Sequence, residues 1–401
     1  MSKNLNSFLS LGYFLDFKNN DISIDLSNID KTKYVNVREN ELIELGSKLW
    51  RESISHNFKS NQKHLVPISG GLDSRAVLAA LLEHTEAKNI YTYTFGSANT
   101  LDYDIGNHVA KKIGTNHTSF DLTKFIYTQN ELEDISRRIQ HQTILFHHWP
   151  VWHVDKHFKG CTHWSGFFGD PQTGSHLPAN ESTNIEEAKT KFITKNTYVK
   201  SLKISKESNF DSLIQSNCIS QNNLTLDEQL DIQNRQTKYV SPLVLMRGYE
   251  YKVPFLHQPL MNFMLSIPDV YRVDQNLYKK ILLSSFPREF SYKTKSNLGL
   301  PLGASKSFVF MKRVQGKILN TLNISSIKGT NYLDFNQKIR TKQDVKDIIS
   351  DNVMNLRSRD IIDWIDIEEI LKNHLSNKGN YADALIALAS LEIHLKSGMK
   401  F

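Results

Sequence analysis

The chain has 401 residues, enough for one large α/β domain or for that domain with a smaller companion. Hydrophobic residues make up 39% of it and charged residues 23%, the balance of an ordinary globular protein. A net charge of +7 over this length suits an anionic small substrate and does not argue for a nucleic-acid binder. Two cysteines, Cys161 and Cys218, stand outside any CxxC pair, which excludes a disulfide framework and argues against a cysteine zinc site. No apolar run reaches the length of a signal peptide or a membrane span, so the expected setting is the cytoplasm, with no membrane contact.

Residues 1–60 read as a short preface. Phe8–Leu15 and Ile22–Leu26 look like short strands around a polar turn, and Glu39–Phe58 like a helix with Leu42, Leu45, Leu49 and Ile54 on one face. From His64 the pattern alternates strand with helix, the sign of a parallel sheet with crossover helices. His64–Ile68 is the first strand, although Pro67 cannot donate to a ladder. A helix follows at Arg75–Glu83, a second strand at Ile90–Phe95, and a helix at Tyr103–Ile113 that stops at Gly114. His117–Leu122 reads as a third strand, about Gln129–Lys159 as helical, and Cys161–Gly166 as a fourth strand. Residues 180–235 are polar with weak periodicity and read as helices and loops over one sheet edge; the lysines from Lys189 to Lys206 suit a solvated helical face. Beyond Arg235 the chain reads as mostly helical and closes on an amphipathic segment, Tyr381–Lys396.

The strongest chemical signal is Ser69-Gly70-Gly71-Leu72-Asp73-Ser74 at the first strand-to-helix junction. Two glycines let the backbone turn tightly and bring its N–H groups to an anion, and the helix that follows offers free N–H groups and its positive end. Ser69 and Ser74 add hydroxyls. Asp73 cannot face bare phosphate without a cation between them, which implies magnesium. No GxxxxGK[ST] sequence is present, so the loop is not of the usual kinase or GTPase type.

With further segments in order along the chain, this loop resembles that of the asparagine-synthetase-type pyrophosphate-loop ATP enzymes, which have an adenine-nucleotide α-hydrolase-like fold. Thr94-Phe95-Gly96 resembles the segment that lines adenine and ribose, and Ser165-Gly166-Phe167-Phe168-Gly169-Asp170 is similar to the family's SGxGxD element. Gly248-Tyr249-Glu250-Tyr251-Lys252-Val253-Pro254-Phe255-Leu256 resembles GxExRxPFL, Lys279 with Ile281 and Leu282 the KxxL helix, and Lys295 ahead of Gly299 and Pro301 the catalytic lysine. The resemblance implies an ATP-dependent carbon–nitrogen ligase over residues 61–401, forming an acyl-adenylate and then an amide. Asp73 and Asp170 would hold magnesium; Ser69, Gly70, Gly71, Asp73, Ser74, Phe95 and Gly166 would hold ATP; Lys295 and Glu250 would be catalytic.

The chain also departs from that pattern. Asparagine synthetases begin with a glutaminase domain carrying an N-terminal cysteine; here Ser2 follows Met1, and about 60 residues precede the loop. The expected amine is therefore free ammonia, ammonia from a separate glutaminase, or an amino group on the substrate. Phe167, Lys252, His257 and Arg75 replace a polar residue, an arginine, an aspartate and a small residue. Aspartate is thus not the expected carboxylate; an acidic sugar or another metabolite precursor fits better. His141, His147, His148, His153, His157 and His163, interleaved with Trp149, Trp152 and Trp164, read as residues that pack beneath the sheet or line the acceptor pocket rather than as a metal centre. Two other readings remain open: an RNA-modifying enzyme of the same loop class, and a catalytically silent relative that binds nucleotide or a partner.

Overall fold

The computed structural model describes residues 2–206, 210–216, 224–321 and 333–400; Cys218 lies outside them, and Cys161 is a free, buried thiol. Five strands form one parallel sheet: β1 (Lys63–Pro67), β2 (Ile90–Gly96), β3 (Asn116–Asp121), β4 (Cys161–Trp164) and β5 (Glu250–Lys252), in the order β3-β2-β1-β4-β5. The centre of β1 is apolar on both faces because both are covered. Leu65 and Val66 are fully buried and project into different apolar layers. Pro67 is tolerated because β1 pairs with β2 through Pro67 but with β4 only through Leu65. Its missing donor faces the side where the ladder has ended.

One layer holds α1 (Ser2–Leu11) and α5 (Gln129–Arg138) with the helices Gln343–Ser358, Ile367–Leu375 and Ala382–Lys396. The other holds α2 (Glu39–Asn57), α3 (Asp73–Leu81) and α4 (Leu101–Ile113) with the helices Gln258–Ser266 and Asn276–Ser285. This is the expected α/β arrangement with a mostly helical C-terminal part. No helix among the described residues is long and apolar enough to cross a membrane.

Several local expectations are corrected. The run Phe8–Leu15 is not a strand. Leu5, Phe8 and Leu9 stand at helical spacing and are buried in α1, and Gly12 (φ +81°) then turns the chain. Only Tyr13 makes an isolated bridge, to Thr143. Residues 22–26 form no ladder, although Leu26 is buried in the second layer. The stretch read as helical from Gln129 to Lys159 breaks between α5 and α6 (Val151–His157), where Gln140, His141 and Phe146 take left-handed backbone and Pro150 precedes the new helix. The loop between them is held by the Gln142 amide, which donates to the carbonyls of Phe14 and Lys238. Ala188, Phe192, Phe210 and Ile214 pack with Leu11, Tyr13 and Leu15 in a small third cluster that contains no strand residue, whereas Val199 and Ile204 join the first layer.

The final helix is not amphipathic. Every residue from Ala384 to His394 is buried, and its polar side chains are paired inside. Ser390 Oγ accepts from Leu145 N, Glu392 meets Arg359, and His394 bonds to Ser136 Oγ and the Thr143 carbonyl. Phe8 of α1 packs edge-on against the His394 ring at 5.7 Å. Truncating such a central side chain leaves a cavity. Leu388→Ala should therefore cost about 2–5 kcal/mol in urea unfolding, with an unchanged denaturant slope. A loss below about 1 kcal/mol would show that the helix is not the packing centre of its layer.

Candidate active site

The strand order reverses beside β1, between β2 and β4, and a parallel sheet leaves a crevice at the carboxyl ends of its strands at such a point. A cavity of about 950 Å³ lies there. Ser69, Gly71, Asp73 and Ser74 reach it from the loop after β1, and Phe95 from the end of β2. Gly166 and Asp170 reach it from the segment after β4. Lys295 completes it from the loop between β6 (Lys293–Thr294) and β7 (Leu300–Pro301), a short antiparallel pair.

In the loop after β1, Ser69 Oγ accepts from Gly71 N at 3.2 Å, Ser74 Oγ accepts from Ser69 N at 3.3 Å, and the two hydroxyls lie 3.4 Å apart. Asp73 is the first residue of α3, so the N–H groups of that first turn have no partner within the helix and are free to meet an anion. Gly70 stands behind the loop, and its need for glycine is one of close approach. A Cβ there would lie 2.8 Å from the Leu101 carbonyl and 3.1 Å from Lys295 Cβ. That proximity lets Lys295 N donate to the Gly70 carbonyl at 2.9 Å, docking the lysine loop onto the phosphate loop.

Asp73 lies deep in the molecule, open only toward the cavity. Burial first, and then the charge of Asp170, push its carboxyl well above the usual carboxylate range. Tyr278 is directed at the same carboxyl, yet neither its hydroxyl nor Asp73 Oδ1 completes a hydrogen bond among the described residues. Gly169 explains how the second acidic segment comes so close: a Cβ on it would stand 2.4 Å from Asp73 Cγ. An orphaned buried carboxylate oxygen beside a second carboxylate fits a magnesium ion that takes its remaining ligands from phosphate and water. No cluster of three His, Cys, Asp or Glu side chains among the described residues could hold a metal by protein ligands alone.

Lys295 is half exposed, and its Nζ lies 2.5 Å from Asp102 Oδ2 in the first turn of α4. Arg75 is fully buried and fixes the backbone ahead of this lysine, its guanidinium donating to the carbonyls of Tyr292 (3.3 Å) and Lys293 (2.6 Å). Asp102 and Tyr278 stand in no motif of the sequence, whereas Gly169 is a glycine of the SGxGxD-like element. Of the first two, only Asp102 gave a signal, as an acid in the first turn of α4.

Glu250 is placed elsewhere. It is exposed at the start of β5, pairs with Lys252 (3.2 Å) and accepts weakly from Gln62 and Thr162, and it does not line the cavity. Strand alternation turns its neighbour Tyr251 toward the cavity instead. Lys279 donates to the Asp274 carbonyl, and His257 packs against His56 at 5.3 Å; both stand away from the cavity.

The histidines divide. His147, His148 and His163 line the cavity, and burial pulls each down to about 4, so all three are neutral imidazoles at pH 7. His153 stacks on Phe125 at 4.3 Å, and His141 faces His394. The wall is completed by Arg235, Gln236 and Tyr239 from a π-helix, Asp231–Val240, which straddles the end of the weakly periodic segment 180–235.

The chain matches the asparagine synthase family over residues 47–158 and 241–396, more than half its length, and it belongs to that family. No curated protein matches it.

Two outcomes test the geometry. The folded chain binds the Asp73 proton more tightly than the unfolded chain, so stability is lost as pH rises from the unfolded value of 3.8 toward the raised folded value. In a metal chelator, Asp73→Asn should therefore be more stable than wild type near neutral pH, the gap closing toward about pH 4 in urea unfolding series. A gap independent of pH would contradict the buried charge. Gly169→Ala should displace the Asp73 carboxyl and weaken magnesium–ATP binding by roughly 10–100-fold in calorimetric titration. Unchanged affinity would separate Asp73 from the nucleotide.

Proposed function

We propose that this member of the asparagine synthase family, a family of ATP-dependent ligases, activates a carboxylic acid as its adenylate and passes the acyl group to an amine. A carboxylate oxygen attacks the α-phosphorus, the bond from that phosphorus to the bridging oxygen breaks, and pyrophosphate leaves with the electron pair. The amine then attacks the acyl carbon, the carbon–oxygen bond to AMP breaks, and a proton leaves the nitrogen. Ammonia, free or from a separate glutaminase, or an amino group on the substrate would serve as the amine.

The residues divide this work. The N–H groups at the start of α3 and the hydroxyls of Ser69 and Ser74 hold the departing pyrophosphate. Lys295, tethered to Asp102 and to the Gly70 carbonyl, brings a positive charge to the phosphate oxygens as negative charge builds on them. Asp73 and Asp170 would hold magnesium, which when bound neutralises phosphate charge. Phe95, at the end of β2, would line the adenosine. The neutral imidazoles leave the acyl pocket free of positive charge from histidine. Glu250, outside the cavity, has no part in this reading.

What carries the reading is that Asp73, Asp170, Lys295 and the Gly-Gly loop open onto one cavity at the switch point of the sheet. The test is the identity of the products. With magnesium–ATP, an amine and a panel of carboxylates, AMP and pyrophosphate should accumulate, and Lys295→Ala should slow their release by roughly 10²–10³-fold. ADP and phosphate as products would overturn the reading.

A further inference from the structure

The cavity wall formed by the π-helix and the aromatic residues beside it has a charge pattern of its own. We propose that the acid activated here carries, besides the reacting carboxylate, a second anionic group held by Arg235 and an uncharged ring-sized body, and is not a free α-amino acid. This rests on the adenylation reading above and assigns its substrate class.

Arg235 comes from the middle of the π-helix, and its guanidinium lies over the Tyr239 ring at 5.8 Å. It makes no hydrogen bond or ion pair among the described residues. Asp231, the acid on the same helix that feels its charge, already accepts from His176 Nδ1 and Gln236 Nε2, each at 2.9 Å. The other cavity cation, Lys295, is taken by Asp102. Arg235 is therefore a guanidinium facing the cavity with its donors unclaimed, and its planar fork matches a carboxylate or phosphate through two parallel hydrogen bonds.

The acids on the cavity are Asp73, Asp102 and Asp170. Two of them face the phosphate end and the third is paired with lysine, so no carboxylate is left to receive an α-ammonium group at the ring-lined wall. That wall is aromatic instead: Trp149, His163, Tyr239 and Tyr251 line it, and the His163 ring is backed by Tyr249 at 4.4 Å. Flat faces of this kind accept a ring by stacking. Two polar atoms beside it are buried without a partner among the described residues, Tyr251 Oη and His148 Nε2. His148 Nδ1 donates to the Trp149 carbonyl at 2.7 Å, which leaves Nε2 as an acceptor. An uncharged hydroxyl or N–H on the bound ring would satisfy it.

The experiment is calorimetric titration of the full chain, without nucleotide, by isophthalate, homophthalate and 4-carboxyphenylacetate, with benzoate and L-aspartate as controls. At least one benzene diacid should bind roughly tenfold or more tightly than benzoate and than aspartate. Arg235→Gln should bring that diacid down to the level of benzoate, Arg235→Lys should keep part of the difference, and both variants should melt with wild type. The proposal is overturned if no diacid binds, if aspartate binds as well as the diacids, or if Arg235→Gln leaves diacid affinity unchanged. It is also overturned if Arg235→Gln weakens magnesium–ATP instead, which would place the guanidinium on phosphate and leave the adenylation reading standing. Failure of wild type to bind magnesium–ATP would sink that reading alone, since the diacid titrations contain no nucleotide.

Discussion

Two carboxylates open onto one cavity at the carboxyl ends of adjacent strands, and one of them, Asp73, keeps a carboxylate oxygen buried without a hydrogen-bond partner among the described residues. Folding opposes such an arrangement, because burial and like-charge repulsion both act against ionised Asp73. It persists because the surrounding chain leaves the side chain no other place. Asp73 opens α3 directly after the glycine turn, and Gly169 presses its bare backbone against the carboxyl. The cost becomes useful once a cation and a polyphosphate arrive, since the same buried oxygen then has a partner.

The rest of the site is organised around that point by close backbone approaches. Gly70 admits both the start of α4 and the Lys295 loop, and Arg75, in the first turn of the helix that Asp73 begins, reaches the backbone two residues before Lys295. A half-exposed lysine is thereby tied to the phosphate loop at its backbone while its side chain is paired with Asp102 at the cavity. The sheet contributes direction: β1 and β4 are neighbours, so the two segments that carry the aspartates leave the same edge together.

Much of this could be read from residue patterns. The Gly-Gly loop sits at its strand–helix junction, and α2, α4 and the first four strands fall within a few residues of expectation, because each has a clear period or a clear stop such as Gly114. The misses have physical causes. The run Phe8–Leu15 is apolar except for Ser10 and Gly12 and too short to show a period, so helix and strand look alike until Gly12 is known to turn. β5 is three residues long and leaves no period to detect. Glu250 matched a motif, but a one-residue alternation on that strand sends it outward and Tyr251 inward. The π-helix carrying Arg235 winds with i→i+5 bonds, so its residues do not repeat at the spacing of an ordinary helix and its start at Asp231 falls inside a stretch with no clear period. The final helix showed a convincing apolar stripe, and nothing in a linear pattern says that its remaining faces are covered too.

That last helix also bears on how the chain is made. Phe8 packs against His394 nearly four hundred positions downstream, so the flank of the sheet that holds both is completed only late in translation. Until residues near 390 leave the ribosome, the apolar face of α1 lacks the helix that completes its packing. The opposite flank, built from α2, α3 and α4, closes from nearer neighbours. The nascent protein is therefore half-finished in a spatial sense for most of its synthesis, and its dependence on chaperones should fall on that first flank.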